Sequence, residues 1–335
     1  MTELVTDQAP GRAPATAGRA ELERRLEDHR RELGGYCYRM LGAAFETDDA
    51  VQDTMVRAWR ALDKFDGRSS LRTWLYRIAT NVCLDLLNSR NRRALPMDLG
   101  PASPPVAASL GQPHPEATWI QPMPDGEVLA STADPADLAV QKDSVRLAFI
   151  AALQHLPPRQ RAVLILREVL RWSAAEVADL LDTTVASVNS ALQRARATLA
   201  SVDPQAGAHR DPMDDAQKDL LADYVKAFTS YDIDALVLLL RQDATASMPP
   251  FALWLDGRDD IAAWHLGPGA ACRQSKLLAL QVNGSPAFAA YKLAADGTHR
   301  PFSIQVLDLD GDKIARITYF LETSLFERFG LPASL

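Results

Sequence analysis

Apolar residues recur at helical spacing along much of this chain, and the recurrence breaks at places that divide it into modules. In residues 21–42, Leu22, Leu26 and Leu33 share one face, and Gly34-Gly35 predicts an end to that helix. A second helix is expected from Thr47, a suitable N-cap ahead of Asp48 and Asp49, with Val51, Met55, Ala58 and Leu62 on its apolar side. Leu71, Trp74, Leu75, Ile78, Val82 and Leu86 form the stripe of a third, from about Ser70 to Asn88, which assigns Trp74 to a core. Further on, Ser173 and Glu176 make a capping box, and Val177, Leu180 and Leu181 follow as an apolar side. Asp182-Thr183-Thr184 is a turn with Thr184 as the next N-cap, and the helix after it is expected to bury Val185, Val188, Leu192, Ala195 and Leu199. This is the pattern of a helix-turn-helix. It points Ser187, Asn189, Ser190, Gln193, Arg194 and Arg196 outward, residue types suited to base edges and phosphates in a major groove.

Beyond residue 210 the period changes. One amphipathic helix, through Leu220, Leu221, Tyr224, Val225 and Phe228, gives way to alternating runs: AFAAYKLAA, PFSIQVLDL and KIARITYFL. Asn283-Gly284, Asp296-Gly297 and Asp310-Gly311 are turn signals around them. A helix followed by a curved antiparallel sheet is an α+β cone. The fold class expected is therefore multidomain, two all-α modules and a C-terminal α+β cone.

Charge sharpens the boundaries. The 335-residue chain carries a net formal charge of −7, yet Gly67 to Arg93 holds six arginines against one acid, Asp85. Residues 94–141 contain no Lys or Arg, six acids and nine prolines, and are expected to be an extended, mobile linker. Residues 142–200 hold eight basic and five acidic residues, and 201–335 twelve and eighteen. The layout expected is a disordered tail over 1–19, helical modules at 20–93 and 142–200 joined by the linker, and a module at 211–335. The N-terminal stretch has acids first and no apolar core, and no run of about 18 apolar residues occurs, so neither a signal peptide nor a membrane span is expected and the cytoplasm is. Cys37, Cys83 and Cys272 are widely spaced and read as free thiols; no metal or cofactor is implied.

Four motifs stand in order: DDAVQDTMVRAW, FDGRSSLRTWLYRIATNVCLD, LPPRQRAVLILRE and SAAEVADLL…SVNSALQRARATL. Together they resemble the extracytoplasmic-function class of bacterial RNA polymerase sigma factors, over about residues 20–93 and 142–200. The resemblance implies that the acidic helix with Asp48, Asp49, Gln52 and Asp53 docks on the clamp helices of the polymerase's largest subunit. It implies that the loop Asp66, Arg68, Ser69 and Ser70 captures a flipped base of the minus-ten element, a step that demands a pocket. Arg72, Arg77, Asn81, Arg90, Arg92 and Arg93 would then lie along promoter DNA. The second module would read the minus-thirty-five element through Thr184, Ser187, Asn189, Ser190, Gln193, Arg194 and Arg196, and touch the polymerase flap. Asn189 and Ala191 stand where the family commonly places basic residues, which implies fewer phosphate contacts and a shallower salt dependence. The linker would thread the polymerase interior, where its acids could mimic RNA.

MPPFALWLDGRDDI and NGSPAFAAYKL resemble the SnoaL-like branch of the nuclear-transport-factor-2 superfamily, as in sigma factors with such a domain appended. Trp254, Trp264, His265 and Tyr291 are candidates for a pocket, with an unidentified small molecule as its possible ligand. Regulation through intramolecular contact with the helical modules is the preferred reading, since tethering supplies a high local concentration. No catalytic residues are assigned. The alternatives are a stand-alone helix-turn-helix transcription factor, and a SnoaL-like enzyme with a DNA-binding appendage.

Overall fold

The apolar stripe of residues 71–88 folds as one helix whose Leu71, Leu75, Val82 and Cys83 are buried against two earlier helices. In the computed structural model, which describes residues 15–65, 67–88, 92–129, 135–202 and 213–335, the first module comprises α1 (Ala15–Asp28), α2 (Arg30–Leu41), α3 (Ala44–Ala61) and α4 (Leu71–Asn88). The linker carries two short helices, α5 (Asp125–Val128) and α6 (Pro135–Asp143). The second module follows with α7 (Leu147–Gln154), α8 (Pro158–Leu164), α9 (Ala174–Leu180) and α10 (Val185–Val202). In the C-terminal module α11 (Asp215–Ser230) and α12 (Ile233–Leu239) precede β1 (Leu240–Ser247) and β2 (Trp254–Asp256), and α13 (Arg258–Leu266) precedes β3 (Lys276–Val282). Then come β4 (Ser285–Leu293), β5 (His299–Asp310), β6 (Lys313–Phe320) and α14 (Leu325–Arg328).

The six strands form one sheet in the order β2-β1-β6-β5-β4-β3, antiparallel except for β1 beside β6. Its three long hairpins turn where Asn283-Gly284, Asp296-Gly297 and Asp310-Gly311 predict. One face of the sheet packs under α11, α12 and α13 through Tyr224, Phe228, Trp264, Leu307 and Ile317, which gives the α+β cone. The opposite face supplies Val282, Ala289, Tyr291, Ile304 and Phe326's neighbours to a second core, shared with both helical modules and the linker. The two-sided burial explains why β4 reads as a nearly unbroken apolar run.

Three expectations are corrected. First, Gly34-Gly35 does not end a helix; both lie inside α2. A Cβ on Gly35 would stand 2.5 Å from the carbonyl oxygen of Val128, and one on Gly34 3.2 Å from that of Glu127, so glycine here admits the linker backbone. Second, α3 begins at Ala44, and Thr47 sits within its first turn with its hydroxyl donating to the Ala43 carbonyl at 2.7 Å. Third, residues 94–129 are not an unattached spacer. Ala94, Leu95, Trp119, Ile120, Met123, Val128 and Leu129 are buried, and the backbone is pinned at Gly42, Trp254, Pro250 and Asn283. Proline blocks helix and central strand, but it does not prevent an extended strap from burying the apolar side chains between the prolines. The disordered tail expected at 1–19 lies outside the described residues up to residue 14, and its last five residues, 15–19, belong instead to α1.

Candidate polymerase and nucleic-acid interfaces

The helix-turn-helix is built by local chemistry. Ser173 accepts from the Glu176 N–H at 3.2 Å while the Glu176 carboxylate accepts from the Ser173 N–H at 2.7 Å, and this closes the start of α9. Thr184 caps α10 by accepting from the Ser187 N–H at 3.1 Å. Val188, Leu192 and Ala195 are buried, whereas Val185, in the helix's first position, is 44% exposed rather than buried as expected. Thr184, Ser187, Asn189, Ser190, Gln193, Arg194 and Arg196 are all exposed. Arg194 donates to the Ser190 hydroxyl at 2.7 Å, and Arg196 pairs with Glu168 at 2.6 Å. This surface is open and polar, as its sequence predicts.

The basic side chains around α4 are placed differently. Ser70 caps α4 by accepting from the Thr73 N–H at 3.0 Å, and Asn81, Arg68 and Ser70 are exposed, with Ser69 half-buried. Arg72 donates to Glu32 at 2.8 Å and lies over the rings of Tyr76 and Trp172, at 5.0 and 5.4 Å. Arg77 donates to the Asp179 carboxylate at 2.7 Å and to its carbonyl at 2.9 Å, across to α9. Arg92 donates to His155 at 2.7 Å. Arg93 is buried, paired with Glu46 at 2.5 Å and bonded to the Trp119 carbonyl at 2.6 Å, so it anchors the linker here instead of facing DNA. Asp66 and Arg90 lie outside the described residues. Trp74 is half-buried against Phe65, with ring centroids 5.2 Å apart, as a core assignment requires.

On α3, Asp49 and Gln52 are exposed and Asp53 pairs with Arg57 at 2.8 Å. Asp48 is held from the far end of the chain. Arg328 of α14 bonds both Asp48 oxygens and pairs with Glu127 at 2.5 Å, while its own side chain is only 7% exposed and its guanidinium lies 5.6 Å from the Phe45 ring centroid. A second tie is Asn283, fully buried at the β3–β4 turn. Its amide donates to the Tyr38 hydroxyl at 2.7 Å and the Val145 carbonyl at 2.6 Å, and accepts from the Met123 N–H at 2.9 Å. One amide thus joins the C-terminal module to both helical modules and the linker. Neither Arg328 nor Asn283 is among the residues singled out from sequence for these roles; a lone basic residue and a turn signal carry no mark of a distant partner.

Two family descriptions match the chain: sigma-70 region 2 over residues 26–93 and sigma-70 region 4 over 146–199. The ECF RNA polymerase sigma factor SigG of Mycobacterium tuberculosis is 46% identical over 328 residues, 97% of this chain and 88% of that protein. The chain is an extracytoplasmic-function RNA polymerase sigma factor. The ECF RNA polymerase sigma-E factor of Escherichia coli is 30% identical over 151 residues, 45% of this chain and 70% of its own. The crystal structure of the M. tuberculosis extracytoplasmic-function sigma factor SigJ superposes with a TM-score of 0.58 at 21% identity, over 94% of this chain and 99% of that one, and so shares the whole fold. The first and second helical modules of this sigma factor are accordingly regions 2 and 4.

The pocket residues named from sequence do not converge. Trp254 donates to the Gly100 carbonyl of the linker at 2.9 Å. Tyr291 packs edge-on against Phe326 on the other face of the sheet and donates to the Pro332 carbonyl at 2.8 Å. Trp264 covers Gly269, where a Cβ would stand 3.0 Å from its ring. His265 is buried among Phe228, Tyr231 and Tyr319, and burial holds its imidazole down to about 4. A histidine with that depressed value stays neutral in the folded protein while its unfolded form takes up a proton below pH about 6.5. Its contribution is therefore present above that pH and is lost as pH falls from about 6.5 towards 4, at about 1.4 kcal/mol per pH unit. Urea titrations of the sigma factor across this range should show that slope in the C-terminal module, and His265→Gln should flatten it. Among the described residues no helix is long and apolar enough to cross a membrane.

Proposed function

We propose that this sigma factor binds core RNA polymerase through Asp48, Asp49, Gln52 and Asp53, opens the minus-ten element with the Asp66–Ser70 loop, and reads the minus-thirty-five element with the outer face of α10. Its C-terminal domain restrains these activities by holding the chain closed. The observation that carries this reading is Arg328, a basic side chain that occupies Asp48, one of the four residues proposed to dock on the polymerase. The Arg77–Asp179 pair supports it from the other side. Elements named minus ten and minus thirty-five are about 25 base pairs apart, roughly 85 Å along B-form DNA. Regions 2 and 4 joined by a 2.7 Å ion pair cannot sit on both, so initiation requires them to part. Localisation to the cytoplasm follows from the same role.

An enzymatic role for the C-terminal domain has less support, since its four candidate pocket residues face three different surroundings. The experiment is run-off transcription with core polymerase by the full chain and by a chain ended at about Arg210. The shorter chain is expected to bind promoter and form open complexes more readily. Unchanged promoter binding, opening and transcript yield would remove the regulatory role.

A further inference from the structure

A cavity of about 160 Å³ lies where region 2, the linker and region 4 meet. Glu46, Arg92 and Arg93 line it from the first, Ala117 from the second, and Gln154 and Arg161 from the third. Three guanidinium groups thus face one carboxylate, and that carboxylate already pairs with Arg93 at 2.5 Å. Arg161 is 3% exposed, and its bonds go to neutral acceptors: the Met40 carbonyl, the Gln154 side chain at 2.7 Å and the Leu156 carbonyl at 3.1 Å. Its Nε has no partner among the described residues. Arg92, exposed at the rim, donates to His155 and has no carboxylate partner among the described residues either.

A buried cation without an opposite charge is costly, and Arg161 shows that cost. Burial, and secondarily the charge of Arg92, brings its guanidinium down to about 10. Two like charges lining one cavity are the arrangement an anion would relieve. Guanidinium forks match oxyanions; the terminal N–H groups of Arg161 are spent on the Met40, Gln154 and Leu156 oxygens, so Arg161 supplies buried charge and the exposed Arg92 the donors. The volume is far above what one water needs and suits a small group. We propose that this junction cavity binds a phosphate, either free or as the terminal group of a small phosphomonoester whose organic part leaves past the exposed Arg92 and Ala117. Three modules supply its walls, so the site exists only while regions 2 and 4 are together. The bound anion is then an effector that favours the closed sigma factor, an inference that rests on the closed-state reading above.

The test is titration calorimetry of the full chain with inorganic phosphate and with glycerol phosphate at fixed ionic strength, accompanied by small-angle scattering of the same samples. Saturable binding at one site per chain is expected from at least one of the two. Arg92→Ala, a rim change that leaves the core intact, should weaken it by roughly tenfold or more, since it removes charge-assisted hydrogen bonds. Glu46→Gln, which removes the competing carboxylate, should tighten it. Which ligand binds more tightly distinguishes free phosphate from a monoester. No saturable heat with either ligand, or equal affinity in all three proteins, would overturn the site, the latter being a bulk salt effect. So would a loss in Arg92→Ala confined to duplex DNA binding. If scattering shows a closed molecule that binds neither ligand, only the site is overturned; an extended free molecule overturns the closed-state reading with it.

Discussion

Asn283→Ala is expected to loosen the C-terminal domain from regions 2 and 4 and to raise transcription by the sigma factor. The substitution removes three hydrogen bonds from a fully buried site and leaves the Val145 carbonyl and the Met123 N–H without their partners. Each buried unsatisfied group costs about 1–3 kcal/mol, so docking should weaken by roughly 2–6 kcal/mol. The backbone adds to this. Asn283 and Gly284 have φ of +55° and +67°, the conformation of a type I′ hairpin turn that costs alanine more than asparagine. Gly284 must stay glycine for a further reason, because a Cβ there would stand 2.6 Å from the Lys142 carbonyl oxygen. Limited proteolysis of residues 94–141 should accelerate at least tenfold, with a matching rise in run-off transcript. Proteolysis at the unmodified rate would mean that this amide is not what holds the modules together.

Arg328→Ala is expected to act on the polymerase side of the same equilibrium. The guanidinium lies almost buried between Asp48 and Glu127, and α14 brings it there from the opposite end of the chain. Burial raises the Glu127 carboxyl above its usual range while Arg328 draws it down, so removing the cation leaves two carboxylates facing each other in a partly dry site. The loss is about 1.5–3 kcal/mol, the usual worth of hydrogen bonds to charged groups. Because Asp48 becomes available, the affinity for core polymerase should rise by roughly tenfold or more. Fluorescence anisotropy of labelled sigma factor titrated with core polymerase measures it. A fall in affinity would show that Arg328 supports the docking surface rather than covering it.

Local chemistry was legible in the sequence because its signals act within a few residues. The Ser173–Glu176 box, the Thr184 cap and the three hairpin turns all stand where the residues put them. The outward face of α10 was legible too, since a 3.6-residue period sorts inner from outer positions once the helix is known. What escaped was long-range. Gly34 and Gly35 look like a helix break until the Glu127 and Val128 carbonyls, some 90 residues on, are brought against them. Arg93 looks like one more basic residue in a DNA-binding run until Glu46 and the Trp119 carbonyl enclose it. The prolines and acids of residues 94–129 predict a free linker, whereas Trp119, Ile120, Met123 and Val128 within it are buried. Those four apolar residues, spaced along a stretch otherwise without a core pattern, were the available sign that it packs.

This sigma factor is expected to be closed when free and to open to initiate. In the free protein Tyr76 of region 2 and Trp172 of region 4 have ring centroids 5.2 Å apart, and Arg77 holds Asp179. Energy transfer between dyes at two exposed positions, Asn88 at the end of α4 and Asp182 after α9, reports that separation directly. High transfer is expected for the sigma factor alone, falling by a separation on the order of several tens of Å when core polymerase and promoter DNA are added. The same transfer efficiency in the free protein and in the transcribing complex would contradict it.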